Sequence, residues 1–160
     1  MIFSRADEYA IRAMTFLARQ PAGKLAGARE IAEAERIPMQ FLWKILQLLA
    51  RKRLIRSFKG LRGGYELAHP ASKITLDMVL KANNGLGRIQ GCVLGLPECS
   101  ADNACPLHEQ WSGMRAGLVA MLETNTLADL AMVSDRRAAK QSSRLIMDKS
   151  IQLSSKENSQ

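Results

Sequence analysis

Acidic residues, aromatic side chains, histidine and cysteine are all scarce in this 160-residue chain. Fifteen Asp and Glu face 23 Lys and Arg, leaving a formal charge of +8 at pH 7. Aromatics make up only 5% of residues and form no evident stacking platform, which disfavours recognition of unpaired RNA bases. Three cysteines cannot complete a disulfide framework. They fit cytoplasmic thiols or metal ligands better than an oxidising compartment. No run of 18 apolar residues occurs, so no membrane-spanning helix is expected. Met1 to Arg12 carries charge of both signs and no long apolar stretch, unlike a secretory signal. Two histidines, no phosphate-cradling glycine motif and no paired carboxylates give a small thiol or metal hydrolase no support.

What remains has the balance of one globular domain, 47% apolar and 24% charged. Its charge is unevenly placed. Residues 1–70 hold 13 basic and 6 acidic residues, residues 71–133 hold 4 and 6, and residues 134–160 hold 6 and 3. An anionic partner for the N-terminal half is the first hypothesis.

Ser4 with Asp7 three positions later reads as a capping box that opens a helix. Ala10, Ala13, Met14 and Leu17 then recur at core-facing helical spacing. A short second helix is expected over Ala28 to Glu35, burying Ile31 and Ala32. The turn Arg36-Ile37-Pro38 leads into a third helix from about Met39 to Lys52, burying Leu42, Ile45, Leu46 and Leu49. Two short apolar stretches, from Leu54 to Phe58 and from Tyr65 to Leu67, flank the glycine-rich Lys59-Gly60-Leu61-Arg62-Gly63-Gly64, the pattern of a hairpin. This order predicts a mainly α fold with a small β-hairpin, a winged helix-turn-helix, over residues 1–84. Thr75 caps its fourth helix, which carries Leu76, Val79 and Leu80 and stops at Asn83-Asn84-Gly85.

Residues 85–105 form a cysteine-bearing loop, and residues 106–133 are expected to hold a long helix and a shorter one. Leu107, Trp111, Met114, Leu118 and Met121 are spaced 4, 3, 4, 3, a seam suited to packing along another helix. Thr126 with Asp129 opens the shorter helix. Residues 134–160 read as a disordered or loosely helical basic tail.

Seven basic residues and no acid lie between Lys44 and Arg62: Lys44, Arg51, Lys52, Arg53, Arg56, Lys59 and Arg62. Duplex DNA needs a slim helix for the major groove, cations against phosphates and a wing for the next groove. Gln40, Trp43, Lys44 and Gln47 are placed to touch base edges, while Arg51, Arg56, Lys59 and Arg62 supply phosphate contacts. Trp43 has a competing place half-buried against the hairpin.

Cys92, Cys99 and Cys105 follow a C-x6-C-x5-C spacing, with His108 three residues further on. Thiolates gathered on one loop suit zinc or an iron–sulfur cluster. Structural zinc generally uses C-x2–4-C pairs, which are absent. Cys105 and His108 stand one helical turn apart, so His108 is the first candidate for a fourth ligand. Glu8, from this chain or a partner subunit, is the second; Asp7 is better explained as a cap.

The segments MIFSRADEYAIRAM, AREIAEAERIPMQFLWKILQLLARKRLI, KGLRGGYEL, the cysteine triplet with CPLH, and TLADLA together resemble the IscR/NsrR/RirA family of bacterial winged-helix repressors. The resemblance covers residues 1–131 in order. It implies a homodimer paired through the helix after the cysteine loop, bound to a palindromic operator in double-stranded DNA. It also implies an iron–sulfur cluster, 2Fe–2S or 4Fe–4S, on Cys92, Cys99 and Cys105, whose state changes DNA affinity in response to cluster supply, iron or nitric oxide. His108 matches the fourth ligand of the IscR-like branch, and Glu8 stands where other branches draw a carboxylate from the second subunit. Two residues depart from the IscR pattern: Trp43 replaces a recognition-helix glutamate, and Lys59 replaces a wing arginine, keeping the charge but not the bidentate fork. The competing reading is a cluster-free regulator whose cysteines sense oxidation directly.

Overall fold

The computed structural model describes residues 3–96, 102 and 104–140. Helix α1 (Arg5–Ala18) opens with the expected capping box: Asp7 N–H donates to Ser4 Oγ, and both Ser4 N–H and Ser4 Oγ donate to the Asp7 carboxylate. That carboxylate is 1% exposed and also accepts the Asn83 side-chain amide at 2.7 Å. Gly85 lies directly over it, where a Cβ would strike the carboxylate oxygens. The start of α1 is thereby pinned to the end of α4 (Leu76–Ala82).

Helices α2 (Ala28–Glu35) and α3 (Met39–Arg51) are joined by a turn in which Arg36 is left-handed (φ 50°). Ile37 N–H donates to Ala32 O, and its side chain is buried in the core, so the turn is held from both sides. Strands β1 (Ile55–Phe58) and β2 (Gly64–Leu67) pair antiparallel, with Arg56 opposite Glu66. Ala26 adds a bridge on the other side of Tyr65, through two backbone hydrogen bonds of 2.9 and 3.0 Å. The hairpin is therefore tied to the chain that leads into α2.

Two apolar clusters share α4. Val79 and Ala82 join Met14, Ile31, Leu42, Leu46, Leu49 and Leu127 in the helix-turn-helix core. Leu80 turns to the second cluster, with Leu86, Ile89 and Leu122, and with Leu118 and Val119 against it. This cluster joins α5 (Gly87–Gln90) to α6 (His108–Thr124). A further helix, α7, runs over residues 127–140 and so takes in the first residues of the segment that composition assigns to a tail. Thr126 N–H and Oγ1 donate to Asp129, which holds that carboxyl below the usual carboxylate range. Residues 141–160 lie outside the described residues.

Replacing Asp7 removes the acceptor for Ser4 N–H and Oγ, its half of the capping box, and leaves the Asn83 amide without its acceptor. Asp7→Ala should therefore lower unfolding free energy by about 2–4 kcal/mol in urea titration. Ser4→Ala, which removes the hydroxyl's two bonds and keeps the Asn83 bond, should cost about 1 kcal/mol. A loss in Asp7→Ala no larger than in Ser4→Ala would show that the buried carboxylate adds no stability through Asn83 or the Ser4 N–H.

Candidate nucleic-acid interface and cysteine loop

Helix α3 buries Leu42, Ile45, Leu46 and Leu49 and exposes Gln40, Trp43, Lys44 and Gln47, as its periodicity requires. Trp43 is 49% exposed, half of its surface in water. Phe41 is equally exposed, and its ring tilts against Tyr9 at 6.3 Å between centroids. A phenylalanine ordinarily belongs to the core, so local sequence gives no sign of the exposure of Phe41.

All seven basic residues between Lys44 and Arg62 are exposed. Arg56 differs from the others: its guanidinium meets the cross-strand Glu66 carboxylate at 3.1 Å. Glu66 lies beyond the acid-free run and reaches Arg56 only through strand pairing. Lys44, Arg51, Lys59 and Arg62 have no acidic partner among the described residues. A cation without a local counter-charge is available to a phosphate.

The second region surrounds the cysteines. Cys92 follows α5 directly, and Cys105 precedes α6, with His108 N–H donating to Cys105 O at 2.9 Å. Both thiols are partly buried. Cys99 lies outside the described residues. Two side chains of α6 hold the start of the loop. The Trp111 indole N–H donates to Gly91 O at 2.8 Å, and an Arg115 guanidinium N–H donates to Gln90 O at 2.7 Å. His108, Trp111 and Arg115 recur at i, i+3 and i+7, so the segment just before Cys92 is docked on the helical face that carries His108.

Glu8 is engaged elsewhere. Its carboxylate meets Arg12 at 3.4 Å, and Arg12 also reaches Glu35 and lies 5.9 Å from the centre of the Tyr9 ring. Among the described residues no three His, Cys, Asp or Glu side chains converge where a metal ion could be held.

The seam expected along α6 divides between two directions. Leu118 packs against the second core cluster, Trp111 bonds Gly91, and Leu122, which the seam omitted, is the buried residue of this helix. Leu107, Met114 and Met121 remain exposed, Met114 by 69%. Heptad-like spacing cannot distinguish a helix facing its own chain from one facing another, because both use the same periodicity.

Comparison with known proteins decides the family. The pattern of the Rrf2 family, described as an iron-dependent transcriptional regulator, matches residues 3–132. The chain belongs to the Rrf2 family. An HTH-type transcriptional regulator of Mycobacterium tuberculosis is 41% identical over 133 residues, covering 82% of this chain and 81% of the relative. The HTH-type regulator NsrR of Oceanobacillus iheyensis is 28% identical over 131 residues, 81% of this chain and 89% of its own. Among solved structures, oxidised CymR of Staphylococcus aureus aligns with a TM-score of 0.64 at 26% identity, over 82% of this chain and 96% of its own. T. potens IscR aligns at 0.65 and 22% identity, over 85% and 88%, and shares the fold. The Rrf2 chain is thus a winged-helix transcriptional regulator, and its relatives are regulators rather than enzymes. No helix among its described residues is long and apolar enough to cross a membrane.

For this Rrf2 protein the charges give a graded expectation. In duplex DNA titrations against salt, Lys44→Ala and Lys59→Ala should each reduce the slope of log K on log[salt] by about 1. Arg56→Ala should reduce it less, since Glu66 already pairs with that guanidinium. Trp111→Phe should lower unfolding free energy by about 1 kcal/mol and speed amide exchange around Gly91. Unchanged exchange there would show that the indole bond does not hold the loop.

Proposed function

We propose that this Rrf2 regulator is a homodimeric repressor on a palindromic operator, and that an iron–sulfur cluster on the loop after α5 switches its DNA affinity. The observation that carries the reading is the pair of bonds from Trp111 and Arg115 to Gly91 and Gln90. They join the segment entering Cys92 to the helix whose Leu107, Met114 and Met121 are left outward for a second copy. A change at the cysteines is then a change in how α6 is held. Helix α6 packs on α4, and α4 belongs also to the helix-turn-helix core.

Cys92, Cys99, Cys105 and His108 are the residues that would hold the cluster, with Glu8 the alternative fourth ligand. Their donor chemistry suits iron and sulfide. The described residues alone do not assemble the set, so it rests on the sequence spacing and the family resemblance. When bound, the cluster supplies a joint that oxidants or nitric oxide can break. The chain's own contribution is to hold Cys92 against α6 through Trp111 and to deliver Cys105 to the first turn of that helix through the 2.9 Å turn bond. Gln40, Trp43, Lys44 and Gln47 face base edges from α3, while Arg51, Arg56, Lys59 and Arg62 hold the phosphates.

A second reading has support of its own: the oxidised CymR structure aligns over 82% of this chain. In that reading the thiols of Cys92, Cys99 and Cys105 are themselves the sensor.

Purification without oxygen separates the two. Brown protein with about equal iron and sulfide, bleached by nitric oxide, is expected from the cluster reading. Cys92→Ala should then purify colourless and lose the difference in DNA affinity between the loaded and stripped states. Colourless wild-type protein that still binds DNA would overturn the cluster reading and move the switch to the thiols.

A further inference from the structure

The tip of the β1–β2 hairpin carries a side chain that neither the family assignment nor the charge pattern explains. Leu61 is 108% exposed, the most exposed large apolar residue among those described. A leucine standing in water gains nothing by packing, and hairpin tips ordinarily carry polar or turn-forming residues.

This tip is also tightly turned. Gly63 N–H closes the turn on Gly60 O at 2.9 Å, and Gly60 adopts φ +101°, a conformation that L side chains rarely adopt. A Cβ on Gly63 would collide with the Phe58 carbonyl, and one on Gly64 with the backbone of Ala26. The hairpin is thus folded tightly on itself and seated against the chain entering α2. Leu61 projects outward from this close-packed base.

Its neighbours say what that partner is. Lys59 and Arg62 flank the tip, both exposed and without an acidic partner among the described residues. An apolar point between two cations suits a narrow channel with anionic edges and a stacked, apolar interior. The minor groove of duplex DNA, about 6 Å wide and lined by phosphates, has that form. Leucine is among the side chains that enter it as wedges between base steps, partly unstacking them and bending the duplex.

We propose that Leu61 is a minor-groove wedge that bends bound DNA and selects deformable base steps beyond the reach of α3. The inference rests on the DNA-binding reading above and adds to it a source of specificity that involves no hydrogen bond to a base. Pyrimidine–purine steps, which unstack most readily, are the ones it favours. Lys59 and Arg62 contribute affinity through phosphates, while Leu61 contributes discrimination through shape.

The test uses the full chain, purified without oxygen, to select from a pool of random duplexes of about 30 base pairs. Bending of a selected duplex is then read by energy transfer between dyes at its ends. Wild-type protein should enrich a pyrimidine–purine step at a fixed distance from the α3 half-site and shorten the end-to-end distance. Leu61→Ala should keep the salt slope, lose most of the bend and reduce the step preference about tenfold, a typical size for one position. Lys59→Ala should do the reverse, lowering the slope by about 1 while keeping the step preference. Equal bending and the same selected steps from Leu61→Ala would overturn the wedge while leaving DNA binding intact. If wild-type protein enriched nothing, the DNA reading and the wedge would fall together. Leu61-dependent binding to vesicles of anionic phospholipid, with no effect on DNA bending, would assign the tip to a membrane surface and overturn the proposal.

Discussion

The Asp7 carboxylate is the joint on which the rest of the molecule depends. It closes the cap of α1, accepts the Asn83 amide at the end of α4, and lies beneath Gly85 where the chain turns toward α5. A buried carboxylate is tolerated only when it is hydrogen-bonded, and this one has donors from Ser4 and Asn83. Because α4 serves both apolar clusters, the same group sets the DNA-reading half and the cysteine-bearing half in one relation. The cysteine-bearing half and α3 are connected through α4, which contributes to both apolar clusters.

Helix α6 works in two directions for a related reason. Its inward residues, Leu118 and Leu122, seal the second cluster, while Trp111 and Arg115 anchor the backbone just before Cys92. Its outward residues, Leu107, Met114 and Met121, leave apolar area in water. Flexible methionines adapt to a partner surface. One helix thereby anchors the backbone before Cys92 on one face and leaves apolar side chains exposed on another.

The outward face of α3 was largely legible from sequence, because helical periodicity and charge are local properties. The period of α3 placed Leu42, Ile45, Leu46 and Leu49 inside and Gln40, Trp43, Lys44 and Gln47 outside, and the structure agrees. The pairing of Arg56 with Glu66 was not legible, since it arises from strand register between residues ten apart. The exposure of Phe41 and Leu61 was equally hidden, because apolar residues normally signal the core. Trp111 was assigned to the outward seam by spacing alone; its bond to Gly91 appears only once the chain has folded back across α6.

Residue pattern was enough for helices α1 to α4 and α6, the caps at Ser4, Thr75 and Thr126, the glycine-closed hairpin, the basic run and the family, but not for α5 inside the expected loop or the reach of α7 to residue 140. Each of the features so read follows from residues a few positions apart, where backbone hydrogen bonding and side-chain period act directly. Tertiary structure alone decided that Asp7 binds Asn83, that Glu8 pairs with Arg12, and that α6 splits its apolar residues between its own core and the outside. Those outcomes depend on which distant surfaces exclude water together. Packing of that kind is a property of the whole chain, and no local pattern encodes it.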